Sequence, residues 1–379
     1  MAAALAFALG RRLGRGPLAG ATAALGLAFT PQLWSQATIT EVYALNIVLV
    51  LGVLFCLVAL PSADRAAAGR PPGERWRLGA LFLCGLGFTH HITIAFVYPV
   101  VALVVLRRDR RLLTRPRDVA LSAAALAAGL APLAYLPWRW RAVNGAPLDV
   151  VSFLRYITGS NYPGLFDLGR LASEPARWVL LSFQLRDAFG WAMLAFALVG
   201  AAALTRRRSV WSPALAALLS VFVVFYLGYY AWDGWVVLLP ALASIAIAAG
   251  VGASAIASAL GRLAPRHGRA PRDGRPAAVF APRSHLPVSL AAAAPGIVAA
   301  AVAVVTTNGL WRVGPRVDAS RGWAGQANAD RALAAPIPRG ARLVVDPAVG
   351  AGFLFDRHLR GVRPDIDVVY ADWPTGRAA

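Results

Sequence analysis

The sequence predicts an α-helical polytopic membrane protein, with about nine to ten membrane helices and a small α/β tail. Three observations carry this reading. Of 379 residues, 58% are hydrophobic and only 15% are charged. Stretches such as 42–60, 119–136 and 235–256 are apolar all round. About 20 such residues span a bilayer, where the backbone must satisfy its own hydrogen bonds. The formal charge of +20 rests on arginine without any lysine, and the arginines stand in short blocks between apolar runs. Such blocks anchor membrane helices on the cytoplasmic side. They do not form the basic stripe that would mark a nucleic-acid partner.

Placing the arginine blocks inside orders the elements. Residues 1–9 read as the last half of a helix whose beginning lies upstream, running inward to Arg11, Arg12 and Arg15. They are not a signal peptide, because the charges follow the apolar stretch. Residues 17–34 run out, and 41–60 run back toward Arg65, Arg70, Arg75 and Arg77. The apolar stretch 78–106 has arginines at both ends, which demands a hairpin broken near Phe88–His91, its arms each ~20 Å long at 1.5 Å per residue. A single crossing competes with it and would put 107–111 outside. Residues 119–137 go out, and 176–204 return to the arginines at 206–208. Spans 210–229 and 235–256 pair around the outer turn "YYAWDGW". Residues 262–286, rich in Pro, Gly and Arg, read as a basic cytoplasmic linker. The last span, 290–307, closes a membrane domain of residues 1–309 and delivers 310–379 outside. No internal repeat is visible.

Two outer pieces carry ordered sequence. Within the outer loop 138–175, Asp149, Ser152 and Arg155 recur every three residues opposite Val150, Val151, Leu154 and Ile157. This pattern predicts an amphipathic helix lying in the interface. In the tail, 342–346 and 366–370 read as strands flanking a helix through 353–359. The "VGAG" at 349–352 follows a strand as a phosphate-binding turn would, without the third glycine of that pattern. Cys56 and Cys84 fall inside apolar runs and read as packing residues.

Chemistry requires polar groups where they are expensive. The stretch "TPQLWSQATITEVYAL", residues 30–45, sets Gln32, Trp34, Gln36, Glu41 and Tyr43 between two apolar runs. Only three glutamates exist in the chain, and ionisable groups at a membrane boundary are candidates for function. Glu41 has two readings: a helix-start acid, with Thr38 or Thr40 as cap, or a ligand for substrate. Asp187 follows Arg186 and reads as its ion-pair partner. His90 and His91 break the hairpin, either as a polar kink or as donors to phosphate. Their rings point apart on a helix, so they do not share a metal. Arg139 and Arg141 alternate with Trp138 and Trp140, as an aromatic-belt anchor or a clamp for an anionic headgroup. With Asp233 in the outer turn, these residues suit a sugar bound beside a lipid-linked phosphate.

The blocks "FTPQLWSQATITEVYALN", "GLGFTHHITI", "YLPWRWRAVNGAPLDVVSFLRYITGSNY", "YYAWDGWVVLLPALA" and "GVRPDIDVVYADW" resemble the bacterial membrane family filed as domain of unknown function 2723. That family is allied to the transmembrane protein O-mannosyltransferases of the GT-C glycosyltransferase superfamily. The resemblance touches blocks from about residue 20 to 373, the first and last being the most specific. It implies a GT-C-like fold and a transferase in a bacterial inner membrane. That enzyme would move a sugar, mannose, from a polyprenyl-phosphate donor to a hydroxyl of a protein or glycan acceptor. The family's outer polar cluster falls on Trp34, Ser35, Gln36, Glu41 and Tyr43, its Asn/His turn on Thr89 to His91, and its Gly-x-x-Tyr on Gly159 and Tyr162. The superfamily's general base, an aspartate in the first outer loop, is expected upstream of this chain. A "HPPGYP"-like stretch is missing before Pro17, and Asp149-Val-Val replaces the family's Trp-Gly-Asp. Within the chain, Glu41 and Asp233 are the fallback bases. A divalent cation is a conceivable cofactor with no assigned ligands. A transporter or lipid-carrier flippase and a non-catalytic scaffold are the alternatives; missing repeats and sparse charge inside the spans argue against transport.

Overall fold

The computed structural model describes residues 1–39, 41–61, 73–160, 166–231, 233–262, 288–317, 324–345, 347–358, 360–372 and 377–378. They divide into two compact units, Met1–Val317 and Asp318–Ala379.

The first unit is helical: α1 (Ala2–Gly14), α2 (Pro17–Ala28), α3 (Pro31–Thr38), α4 (Tyr43–Ala59), α5 (Glu74–His90), α6 (Tyr98–Arg108), α7 (Pro116–Leu130), α8 (Tyr135–Asn144), α9 (Val150–Thr158), α10 (Ala176–Arg206), α11 (Trp211–Gly228), α12 (Leu239–Arg262) and α13 (Val288–Val317). Among the described residues, five helices are long and apolar enough to cross a membrane: Pro116–Asn144, Ala176–Arg206, Trp211–Gly228, Gly234–Arg262 and Pro295–Pro315. Shorter apolar helices, Pro17–Ala28 and Tyr43–Ala59, stand beside them. The segment Pro116–Asn144 is apolar yet almost wholly unburied. Only lipid makes such a helix tolerable.

The bundle is organised around α12, buried without interruption from Leu239 to Ala253. It packs against α10, α2, α1, α11 and α13. Its approach to α10 is set by two glycines. A Cβ on Gly252 would lie 1.8 Å from the Phe196 carbonyl oxygen, and one on Gly200 would lie 1.8 Å from that of Ala248. Gly85 of α5 and Gly129 of α7 repeat the device. Lipid gives little apolar driving force between helices, so close backbone approach through small residues supplies the attraction.

Several expectations change here. The outward segment 17–34 is not one helix: it breaks at Phe29, and Thr30 caps α3 by accepting the Leu33 N–H at 3.3 Å, with Pro31 at the first helical position. The stretch 78–106 does reverse. His91 takes an extended conformation, a 3-10 turn (Ile92–Val97) follows, and the Tyr98 hydroxyl donates to the Cys84 carbonyl at 3.2 Å. Helix α10 bends at Gly190, where φ is 61°. Asp187 pairs with Arg312 of α13 at 3.1 Å, while the neighbouring Arg186 stacks over Phe183. Consecutive helical residues point about 100° apart, so a distant helix supplies the partner. Helix α13 runs on to Val317, so the boundary drawn at residue 309 falls inside a helix. The basic linker at 263–286 lies outside the described residues.

The predicted amphipathic helix forms as α9. The Asp149 carboxylate accepts the Ser152 N–H at 2.9 Å, and the Ser152 hydroxyl together with this N–H holds its carboxyl below the ordinary range. Gly159, with φ 66°, ends the helix.

The second unit contains α14 (Ala324–Leu333), β1 (Arg342–Val345), α15 (Pro347–His358), β2 (Asp367–Asp372) and β3 (Arg377–Ala378). Strand β1 pairs parallel with β2, Arg342 opposite Asp367, and β3 adds antiparallel to β2. A parallel pair needs a crossover, and α15 is that crossover. Gly350 and Gly352 therefore lie within a helix, not in a phosphate-binding turn. The buried Asp356 accepts from Arg360 at 2.8 Å, and Arg363 holds the Asp365 carboxyl below its usual range.

Candidate functional site

The start of α4, the hairpin turn at His91 and the turn before α12 converge. The Tyr43 hydroxyl donates to Asp233 Oδ2 at 3.2 Å, joining segments 190 residues apart. The His91 ring sits 5.3 Å from the Tyr43 ring, tilted by 55°. Glu41 is exposed, two residues before Tyr43 in the chain. His90 bonds the Val42 carbonyl through Nε2 at 2.8 Å.

Beneath this group lies a polar thread that the sequence reading missed. Asn46, 5% exposed, donates to Thr93 Oγ1 at 3.2 Å. Thr93 Oγ1 lies 2.8 Å from His91 Nδ1, and the Thr93 N–H reaches the same nitrogen at 3.4 Å. These bonds are met together when Nδ1 accepts and the proton sits on Nε2. The signal was present: an asparagine inside an apolar span is expensive unless partnered.

A second missed residue is Arg177, near the start of α10. Its guanidinium donates to the carbonyls of Tyr226 and Tyr229, the latter at 2.6 Å, and lies over the Tyr230 ring at 4.5 Å. Phe166 stacks on Phe225, and Phe225 stacks on Tyr229. Together these contacts fix the turn that carries Asp233.

Three of the candidate residues, Tyr43, His91 and Asp233, therefore gather, with His90 and the exposed Glu41 at their edge. Trp34 packs on Phe29 at 5.7 Å and does not join them. Gln36 is 3% exposed on α3, one turn beyond Gln32, whose amide donates to Gln184 at 2.5 Å. That face of α3 turns inward, and Gln36 stands apart from the Tyr43–Asp233 pair. Arg139 and Arg141 are exposed on α8 and make no ion pair among the described residues. They stand near the end of a 29-residue apolar helix, Pro116–Asn144, about 44 Å long against a hydrocarbon layer of about 30 Å. Tyr162 lies outside the described residues. Glu41 does not cap α4: the cap position is Val42, without a side-chain bond. Thr38 ends α3 and bonds back to Ser35. No group of three metal-ligating side chains occurs among the described residues.

Residues 12–114 match the family described as the N-terminal domain of protein O-mannosyl-transferase TMEM260. Comparison with curated proteins gives no match. Among solved structures, the chain is similar to ArnT from Cupriavidus metallidurans bound to undecaprenyl phosphate, with a TM-score of 0.54 and 15% identity. The superposition covers 98% of this chain and 71% of ArnT. The chain shares the helical membrane-protein fold of that structure.

Proposed function

We propose that this protein is a glycosyltransferase of the bacterial inner membrane. It takes a sugar from a polyprenyl-phosphate donor and transfers it to an acceptor hydroxyl on the outer face, with mannose as the sugar and a protein or glycan as acceptor. The single observation that carries this reading is the pairing of Tyr43 with Asp233 beside His91, in a chain with the fold of a protein solved with undecaprenyl phosphate. The match of residues 12–114 to an O-mannosyltransferase domain supports the sugar and the acceptor class.

The chemistry is an in-line displacement at the anomeric carbon. The acceptor oxygen forms its bond to that carbon while the bond to phosphate breaks, and the electron pair leaves with the polyprenyl phosphate. Asp233 takes the acceptor proton as general base. Tyr43 holds the carboxylate in one orientation, and the His91 Nε2–H offers a donor to the charge developing on the departing phosphate. Glu41 binds sugar hydroxyls at the rim.

The test expresses residues 1–379 in membranes lacking other transferases and supplies radiolabelled polyprenyl-phosphate mannose with acceptor. Expected is label in the acceptor, lost in Asp233→Asn. Undiminished transfer by folded Asp233→Asn would reject the site, and donor that neither binds nor reacts would reject the function.

A further inference from the structure

The opposite end of the bundle holds a second constellation. Five arginines from four separate segments line one cavity of about 660 Å³: Arg12 and Arg15 from α1, Arg75 from α5, Arg108 from α6 and Arg207 after α10. No carboxylate lines it among the described residues. The nearby acids that carry partners are engaged elsewhere, Asp109 with Arg115 and Asp118 with Arg77 and Arg115.

Topology alone asks for basic residues at a cytoplasmic end. Here two of the guanidiniums also rest on aromatic faces that border one hollow. Arg12 lies 4.4 Å over the Phe55 ring, and Arg75 lies 5.1 Å over Trp76. Phe55 and Trp76 meet edge to face at 5.9 Å. Arg207 donates to the Leu13 carbonyl at 3.4 Å. Aromatic faces stabilise cations and fix these two around a common hollow. Like charges gathered around one concave hollow set up a positive potential that favours an anion there. The planar fork of arginine matches phosphate oxygens in pairs.

We infer that this arginine-lined cavity binds a phosphate-bearing ligand at the end of the bundle opposite the Tyr43–Asp233 cluster. Basic pockets between membrane helices receive anionic lipid headgroups, and a soluble phosphate compound offers the same chemistry. The inference does not depend on the transferase reading.

The experiment uses the full chain in mild detergent. One arm titrates short-chain phosphatidylglycerol, a second titrates inorganic pyrophosphate, and short-chain phosphatidylcholine is the neutral control; thermophoresis reads binding. Saturable binding is expected in at least one of the first two arms. Lipid alone assigns a membrane headgroup, and pyrophosphate assigns a soluble ligand. Arg75→Gln combined with Arg207→Gln should weaken binding about tenfold or more, ~1.4 kcal/mol, whereas Arg117→Gln, at the same end but outside the cavity, should leave it within about twofold. Should the double variant fail to fold, Arg75→Gln alone should still weaken binding about threefold. Three results would overturn the proposal: no saturation in either arm, equal binding of phosphatidylcholine, or equal weakening by Arg117→Gln.

Discussion

Asp233 is the residue on which the proposed chemistry turns, and its neighbours divide the work in measurable ways. Replacing a general base typically costs ~10²–10⁴-fold in rate, so Asp233→Asn should lower transfer by about that factor while donor affinity stays near its original value. Tyr43→Phe removes one hydrogen bond to a charged group, worth about 1.5–3 kcal/mol at most. It should therefore slow transfer less than Asp233→Asn does, as single-turnover rates on purified protein would show. Glu41 makes a separate prediction. It caps nothing, so Glu41→Gln should leave thermal stability unchanged and weaken donor binding about tenfold, ~1.4 kcal/mol; unchanged affinity would reduce Glu41 to a bystander. The types of these residues were legible in the sequence, because a Tyr, a His pair and an Asp at the ends of apolar spans are costly groups. Their pairing was not. Tyr43 and Asp233 stand 190 residues apart, and nothing local to either names the other. Gln36 and Trp34 read as site residues for the opposite reason: the sequence shows that they are polar or aromatic, but not that α3 turns them toward protein.

At the scale of elements, apolar length located the spans, and prolines and glycines located many of their ends. Pro17, Pro31 and Pro116 each open a helix, and Gly159 closes one. What length could not show is where a span breaks inside, as at Phe29 or Gly190, because an apolar run remains apolar across a bend. Nor could it show which helices touch. The contact between α10 and α12 depends on the missing side chains of Gly200 and Gly252, and this yields a test. In Gly252→Ala the new methyl would meet the backbone oxygen of Phe196 at 1.8 Å, which cannot rotate away. The helices must separate, at a cost of about 1–3 kcal/mol for such overpacking. Gly261→Ala on the same helix meets nothing within 4 Å and should be neutral or slightly stabilising, since Ala favours helix over Gly. Melting of both variants in detergent checks the contrast; equal melting temperatures would mean that the two helices are not held by this approach.

Across the whole molecule, the two proposed sites stand at opposite ends of the same helices. Helix α4 begins with Tyr43 in the polar cluster and ends with Ala59, which lines the arginine cavity, about 24 Å away at 1.5 Å per residue. Asp233 stands just before the span that ends at Arg262. A bilayer has one place to lie, between these ends, and the arginine blocks choose its direction. The arginine blocks that predict this direction were legible in the sequence, since those at 107–111 and 206–208 interrupt apolar runs. That five of the arginines converge on one hollow was not, because they come from segments nearly 200 positions apart. The arginine blocks predict the orientation without reference to any relative, and labelling checks it directly. A single cysteine at Asn144, at the end of the long helix that starts beside Arg115, should react in intact cells with a membrane-impermeant maleimide. One at Ala278, between the spans ending at Arg262 and beginning at Pro295, should react only after permeabilisation. The natural cysteines, Cys56 and Cys84, are buried and should stay silent in both conditions. External labelling at Ala278 would invert the bundle, place the Tyr43–Asp233 cluster on the cytoplasmic face and remove the outer-face acceptor from the proposed reaction.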